Sequence, residues 1–213
     1  MRLFKNRREA GQLPGEYIKS HIEPNNHITL ALPRSGVPVA HKVARILKTP
    51  LDLFMVRKLG VPGHEELAMG AITSGGVRVL NQDIVQALDI SPAQIEKAAK
   101  FEQKRLAKRK SHYGVEDRIM VKDKSVIVVD DGLATGASMA ASIAALKKMH
   151  SGKLYVAVPV GPPESVEQIE KEVEEVFCLH TPDPFNSVGY WYHDFTQLTD
   201  EQVRNPVQSM HED

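Results

Sequence analysis

The 213-residue sequence contains one cysteine, Cys178, so an internal disulfide is excluded and a reducing compartment is expected. It has no net charge, because 27 Lys and Arg balance 27 Asp and Glu. No global field therefore draws it to nucleic acid or to an acidic membrane. It has no apolar run long enough to span a bilayer, and its first residues, MRLFKNRREAG, lack the apolar core of a secretory leader. The expected location is cytoplasmic, with neither a membrane nor a nucleic acid as partner. None of its histidines stands at a metal-ligand spacing from Cys178 or from a second histidine. Aromatics are scarce, at 6%, yet Phe185, Tyr190, Trp191, Tyr192 and Phe195 crowd into one late segment.

What is present is an ordinary globular composition, 42% hydrophobic and 25% charged, in a chain long enough for one full core. Apolar runs alternate with helical patterns. HITLAL (His27–Leu32), LDLFMV (Leu51–Val56), SVIVVD (Ser125–Asp130), LYVAVPV (Leu154–Val160) and EVFCLH (Glu175–His180) read as strands. Val37–Leu47, Gly136–Met149 and Glu164–Val173 read as helices. Ser91-Pro92 opens a longer helix that runs to about Tyr113, with serine as N-cap and proline in the first turn. Arg57–Leu67, rich in Gly, Pro and charge, reads as a loop. AMGAI and VRVL read as two short strands around Ser74-Gly75-Gly76. The repeating order predicts an α/β fold: a central parallel sheet with helices on both faces.

The most informative stretch is VIVVDDGLATGAS, Val126 to Ser138. An apolar strand ends on two adjacent carboxylates, Asp130 and Asp131. A loop of small residues then leads into a helix. Ligands of parallel sheets lie beyond the carboxyl ends of the strands. Free N–H groups at a helix N-terminus favour a phosphate. Gly132, Ala134, Gly136 and Ala137 let the backbone close on it, and Thr135 and Ser138 add hydroxyls. The combination suits a sugar phosphate, with carboxylates for hydroxyls and amides for the anion. A Walker loop would need a lysine before Ser138, and a dinucleotide fingerprint would need a third glycine. A receiver domain would place its acidic pair near its start. An Asp-Gly turn without function remains the plain alternative for the DDG triplet alone.

This stretch resembles the phosphoribosyl pyrophosphate (PRPP) signature of type I phosphoribosyltransferases. LALPRSGVPVAHKVA is similar to that family's pyrophosphate loop and following helix. RKLGVPGHEELAMGAI and PDPFNSVGYWYHDFTQLTDEQV resemble the flexible loop and C-terminal segment of a bacterial subgroup whose acceptor is unassigned. The resemblance implies Mg²⁺-dependent transfer of a 5-phosphoribosyl group from PRPP to a nitrogenous acceptor, such as a nucleobase, with release of pyrophosphate. Asp130 and Asp131 would hold the ribose hydroxyls, directly or through Mg²⁺ and its waters. Ala134, Thr135, Gly136, Ala137 and Ser138 would cradle the 5-phosphate. Arg34, Ser35 and Gly36 would form the pyrophosphate loop, with a non-proline cis peptide expected at Arg34–Ser35. Arg57 and Lys58 would add cations to the leaving pyrophosphate. His64, in the mobile loop, reads as an exposed side chain.

The resemblance also implies one phosphoribosyltransferase domain over residues 1–213, with a core at 27–180 and a hood from 1–26 and 181–213. Tyr190 or Trp191 would stack on the acceptor; packing of the hood is the competing role. Purine-using members carry an aspartate where this chain has Ala134, so a standard hypoxanthine–guanine enzyme is not expected. The alternative is a non-catalytic PRPP or nucleotide-binding regulator. The basic helix, with Lys97, Lys100, Lys104 and Lys108, reads as a solvated face. Its thin apolar stripe fits docking on the body or in a homodimer.

Overall fold

The structure is a computed structural model and describes residues 2–22, 26–114 and 120–210. Parts of both expected hood segments, residues 1, 23–25 and 211–213, lie outside the described residues. The chain begins with α1 (Arg7–Ala10), α2 (Gln12–His21), β1 (His27–Ala31), α3 (Val37–Leu47) and β2 (Leu51–Leu53). It continues with β3 (Val56–Val61), β4 (His64–Thr73), β5 (Arg78–Leu80), α4 (Gln82–Ala87) and α5 (Pro92–Tyr113). Then come β6 (Ser125–Val129), α6 (Ala137–Lys148), β7 (Leu154–Val160), α7 (Pro163–Glu170), β8 (Glu175–His180) and α8 (Asp200–Ser209).

Five strands form a parallel sheet in the order β2-β1-β6-β7-β8. Side chains alternate across a pleated strand, so each strand feeds two cores. Ala31, Ile127, Val129, Ala157 and Phe177 face one side, with Ile18 of α2 and Val39 and Val43 of α3. Leu30, Val126, Val128, Val156 and Val158 face the other, with Met139, Ile143 and Leu146 of α6 and Val166 and Ile169 of α7. Burial on both faces explains why these strands read as continuous apolar runs. Each fully buried aliphatic side chain contributes roughly 1.5–3 kcal/mol.

Three expectations change. LDLFMV is not one strand: β2 ends at Leu53, and the chain crosses through buried Phe54 and Met55 into a second sheet. The expected loop at 57–67 instead holds nearly all of β3 and the start of β4, in an antiparallel ribbon β3-β4-β5. Its hairpin turns at Pro62-Gly63, where Gly63 has φ 79°, as the third residue of a type II turn requires. The tip of the ribbon escapes hydrophobic patterning because the first five residues of β4 are all exposed, whereas AMGAI lies in β4 and most of VRVL in β5, as expected. The helix expected over 164–173 stops at Glu170. By contrast, Ser91 caps α5 as its sequence predicts, in a reciprocal capping box with Gln94.

A third cluster unites the chain's two ends. Phe4 and Ala10 pack with Val160, Trp191 and Tyr192, and half-buried Phe185, Val188 and Phe195 lean on them. Backbone bonds stitch the segments together, including Phe4 N–H to Trp191 O at 3.0 Å and His193 N–H to Phe4 O at 2.8 Å. Helix α2, however, packs on α3 and places Ile18 in the main core.

Candidate active site

From β1 the chain winds outward through α3 to β2. From β6 it winds the opposite way through α6 to β7. The neighbours β1 and β6 therefore mark the switch point of the sheet, where a crevice opens beyond their carboxyl ends. Residues 32–36 and 130–136 lie at this place. Leu32 N–H binds Val129 O at 3.0 Å, and Gly36 N–H returns to Leu32 O at 3.1 Å. Gly36 is pressed against the second loop: a Cβ there would stand 2.7 Å from Val129 O and 2.8 Å from Asp130 Cα. Ser35 Oγ donates to Asp130 Oδ1 at 3.3 Å, which joins the two loops. The cis peptide expected at Arg34–Ser35 is found one residue earlier, at Pro33–Arg34. Sequence similarity located the loop but carried no information that separates adjacent peptide planes.

The second loop is fixed from behind and open in front. Leu133 N–H binds Val160 O at 2.9 Å, and Ser165 Oγ donates to Ala134 O at 2.8 Å. Gly136, at φ 69°, forms the N-cap of α6 in a conformation that other residues rarely adopt. Ala134, Thr135, Ala137 and Ser138 are exposed. Together with Asp130, Asp131 and Val188 they line a cavity of about 230 Å³ at the N-terminus of α6. A second cavity, about 450 Å³, shares Ala134 and Thr135 and extends past Pro162 and Glu164 to Asp183, Phe185 and Asn186.

The two carboxylates differ. Asp130 is partly exposed and accepts from Ser35 and from the Asp131 N–H at 2.8 Å. Burial, and then the charge of Asp131, push its carboxyl well above the usual range. Asp131 is buried and paired: Arg7 Nε donates to its Oδ2 at 2.8 Å. Burial also raises its carboxyl, against the opposing pull of Arg7. Tyr192 Oη donates to the Asp131 carbonyl at 2.6 Å. Burial and nearby Asp131 hold that phenol fully protonated. Sequence reasoning missed Arg7, which lies 124 positions from its partner. An arginine in a polar N-terminal segment carries no local signal of burial.

The three cations expected at pyrophosphate each have a partner within the protein. Arg34 donates to Tyr113 Oη, to Leu198 O and to Asp200 at 3.2 Å. Arg57 pairs with Glu102 of α5 at 2.9 Å, and exposed Lys58 pairs with Glu66 at 3.3 Å. His64 is exposed at the ribbon tip. Tyr190 is exposed, whereas Trp191 is buried between Phe185 and Tyr190, and neither lines the two cavities. Among the described residues, no group of three or more His, Cys, Asp or Glu is arranged to hold a metal.

A parallel sheet with a small-residue loop, a helix N-terminus and an acidic pair at its switch point defines an α/β domain with its crevice in that place. The chain belongs to the phosphoribosyl transferase domain family, whose match extends over residues 5–194. It is 38% identical to the crystal structure of TT1426 from Thermus thermophilus, with a TM-score of 0.88 and 99% of each chain covered. It is also 38% identical, over its whole length, to a Mycobacterium tuberculosis protein provisionally named a phosphoribosyl transferase. The chain spans about half, 48%, of that curated relative. A Neisseria gonorrhoeae protein solved with bound ppGpp shares the fold, with a TM-score of 0.51 at 12% identity, covering 98% of this chain and 97% of that one. No helix among the described residues is long and apolar enough to cross a membrane.

Proposed function

We propose that the chain transfers a 5-phosphoribosyl group from PRPP to a nitrogenous acceptor, with release of pyrophosphate. One observation carries this reading: the exposed nest at 134–138 and the carboxylate of Asp130 open into one cavity at the switch point. The 5-phosphate takes the N–H groups of the first turn of α6, with Thr135 and Ser138 as hydroxyl donors. Asp130 accepts from a ribose hydroxyl. The loop at 34–36 faces the pyrophosphate. As the C1–O bond lengthens, negative charge gathers on that leaving group, and fixed N–H donors favour it most at that moment. The acceptor nitrogen forms its bond to C1 from the opposite face. The second cavity, beside Ala134, is the place for the acceptor, with Phe185 as its flat wall.

The donor set fits Mg²⁺. Asp130 is a hard oxygen ligand whose ionised form lacks a full countercharge, and Mg²⁺ takes one or two carboxylates along with substrate phosphates and water. Asp130, and Asp131 through water, would hold it. Bound there, the ion would neutralise charge on the diphosphate. The test is pyrophosphate release from PRPP across a panel of nucleobases and simple amines. Release with any acceptor supports transfer.

A second reading, a PRPP-binding regulator without turnover, draws on the pairing of Arg34, Arg57 and Lys58 with Asp200, Glu102 and Glu66. Those cations would then never reach pyrophosphate. PRPP binding with no release for any acceptor in the panel would favour this reading over the first.

A further inference from the structure

We propose that Arg7 is a positioning residue of the ribose site, acting through Asp131 to leave Asp130 as the carboxylate that meets substrate. The inference rests on the function proposed above.

Asn6 caps α1 by accepting from Glu9 N–H at 3.0 Å, which sets Arg7 at the first helical position. From there the side chain runs inward until it is only 8% exposed. Its Nε donates to Asp131 Oδ2 at 2.8 Å, and one terminal nitrogen donates to Thr196 O at 3.0 Å. Its guanidinium carbon lies 3.8 Å from the centre of the Phe195 ring. The cation is thus held on three sides, by one carboxylate, one carbonyl and one aromatic face.

Joining the chain's two ends does not require this pair. The backbone bonds between Phe4 and Trp191 and between Phe4 and His193, with the cluster of Phe4, Trp191 and Tyr192, already do so. A buried ion pair is also a costly fastener, because both charges leave water. What Arg7 adds is a charge where one is needed. Two carboxylates stand next to each other beneath a cavity suited to a polyanion. With both ionised and unpaired they would repel each other and the ligand. Arg7 neutralises the deeper one and fixes its orientation, and the shallower one stays free for a hydroxyl or a cation.

Calorimetric titration of PRPP with Mg²⁺ tests this in the parent, Arg7→Met, Arg7→Lys, Asp131→Asn and the double variant Arg7→Met/Asp131→Asn. Arg7→Met is expected to weaken binding about tenfold or more, because it leaves the buried Asp131 carboxylate unpaired beneath a polyanion. Arg7→Lys, which keeps the charge, is expected to recover most of that loss. In the Asp131→Asn background, Arg7→Met is expected to cost less than about threefold, because its target is already neutral. Phe4→Leu loosens the same cluster of the two terminal segments without altering charge and is expected to stay within about threefold of the parent, the control for simple loosening. Should Arg7→Met not fold, Arg7→Gln against Arg7→Lys makes the same comparison. Parent-like binding by the charge-removing variant overturns the inference, and so does an equal loss with and without Asp131. If the parent itself takes up no PRPP, the proposed function fails and carries this inference with it.

Discussion

The parallel sheet and the antiparallel ribbon are built on opposite terms. All seven residues of β7 are buried, whereas the first five of β4 are exposed. The sheet is packed by helices on both faces, so the loops at its switch point inherit fixed positions. The ribbon rests on α5 and α6, but its tip meets solvent, and among the described residues Lys58 pairs with Glu66 of the same ribbon. The lesson concerns which parts of the site are ready before substrate arrives. The loop at 133–136 and the acidic pair are held by bonds to β7, α7 and Arg7. The cations of the ribbon are held in pairs that a stronger anion must displace.

The largest expected effect is at Asp130. Asp130→Asn should lower transfer by about a hundredfold or more while raising stability at neutral pH, since it removes a charge that its surroundings and the adjacent Asp131 disfavour. Pyrophosphate release and urea unfolding measure the two. Because the folded-state carboxyl lies above its unfolded value, the folded protein binds the proton more tightly. Its contribution is favourable at and below the ordinary carboxylate range and is lost as pH rises through the folded value. Stability of the parent should therefore decline over that interval, and Asp130→Asn should flatten the decline. A less stable Asp130→Asn would mean that the carboxylate serves the fold rather than the ligand.

Two alanine substitutions set the regions side by side. Gly36→Ala forces a methyl against Val129 O and Asp130 Cα, and overpacking of this kind costs ~1–3 kcal/mol. Gly70→Ala brings a methyl within 2.2 Å of Val79 O on β5, with a cost of the same order, ~1–3 kcal/mol. Their effects on function should part. Gly36→Ala is expected to weaken PRPP binding about tenfold or more, and Gly70→Ala to leave it within about threefold, because only the first lies at the switch point. Equal losses in calorimetry would erase the distinction between the regions. The smallest expected effect on stability is that of Lys58→Ala, below about 0.5 kcal/mol, as for most exposed ion pairs. If the ribbon closes on pyrophosphate, the same variant should still slow release severalfold. An unchanged rate would remove the ribbon from the chemistry.

The same contrast governs what could be read from sequence. The strands of the sheet, the helix after Gly136 and the junction at 126–138 were legible, because burial on two faces writes unbroken apolar runs and the nest needs small residues. Of the ribbon, AMGAI and VRVL were legible as strands around Ser74-Gly75-Gly76, but its tip was not, because Glu65, Glu66 and Leu67 all face water. Pro62-Gly63 was the one available signal. Arg7 was beyond local patterning altogether: its burial follows from the meeting of two chain ends around Tyr192. Trp191 was recognised as notable, but composition could not say which way it faces. The fold packs it into the cluster, where its indole Nε1 has no hydrogen-bond partner among the described residues.

The decisive measurement is calorimetric titration of PRPP in the presence of Mg²⁺ into the parent chain and into Asp130→Asn. Saturable one-site binding by the parent, abolished or weakened at least about tenfold in the variant, is the predicted result for a ligand gripped at the switch point. No uptake by the parent, or equal uptake by both, would contradict it.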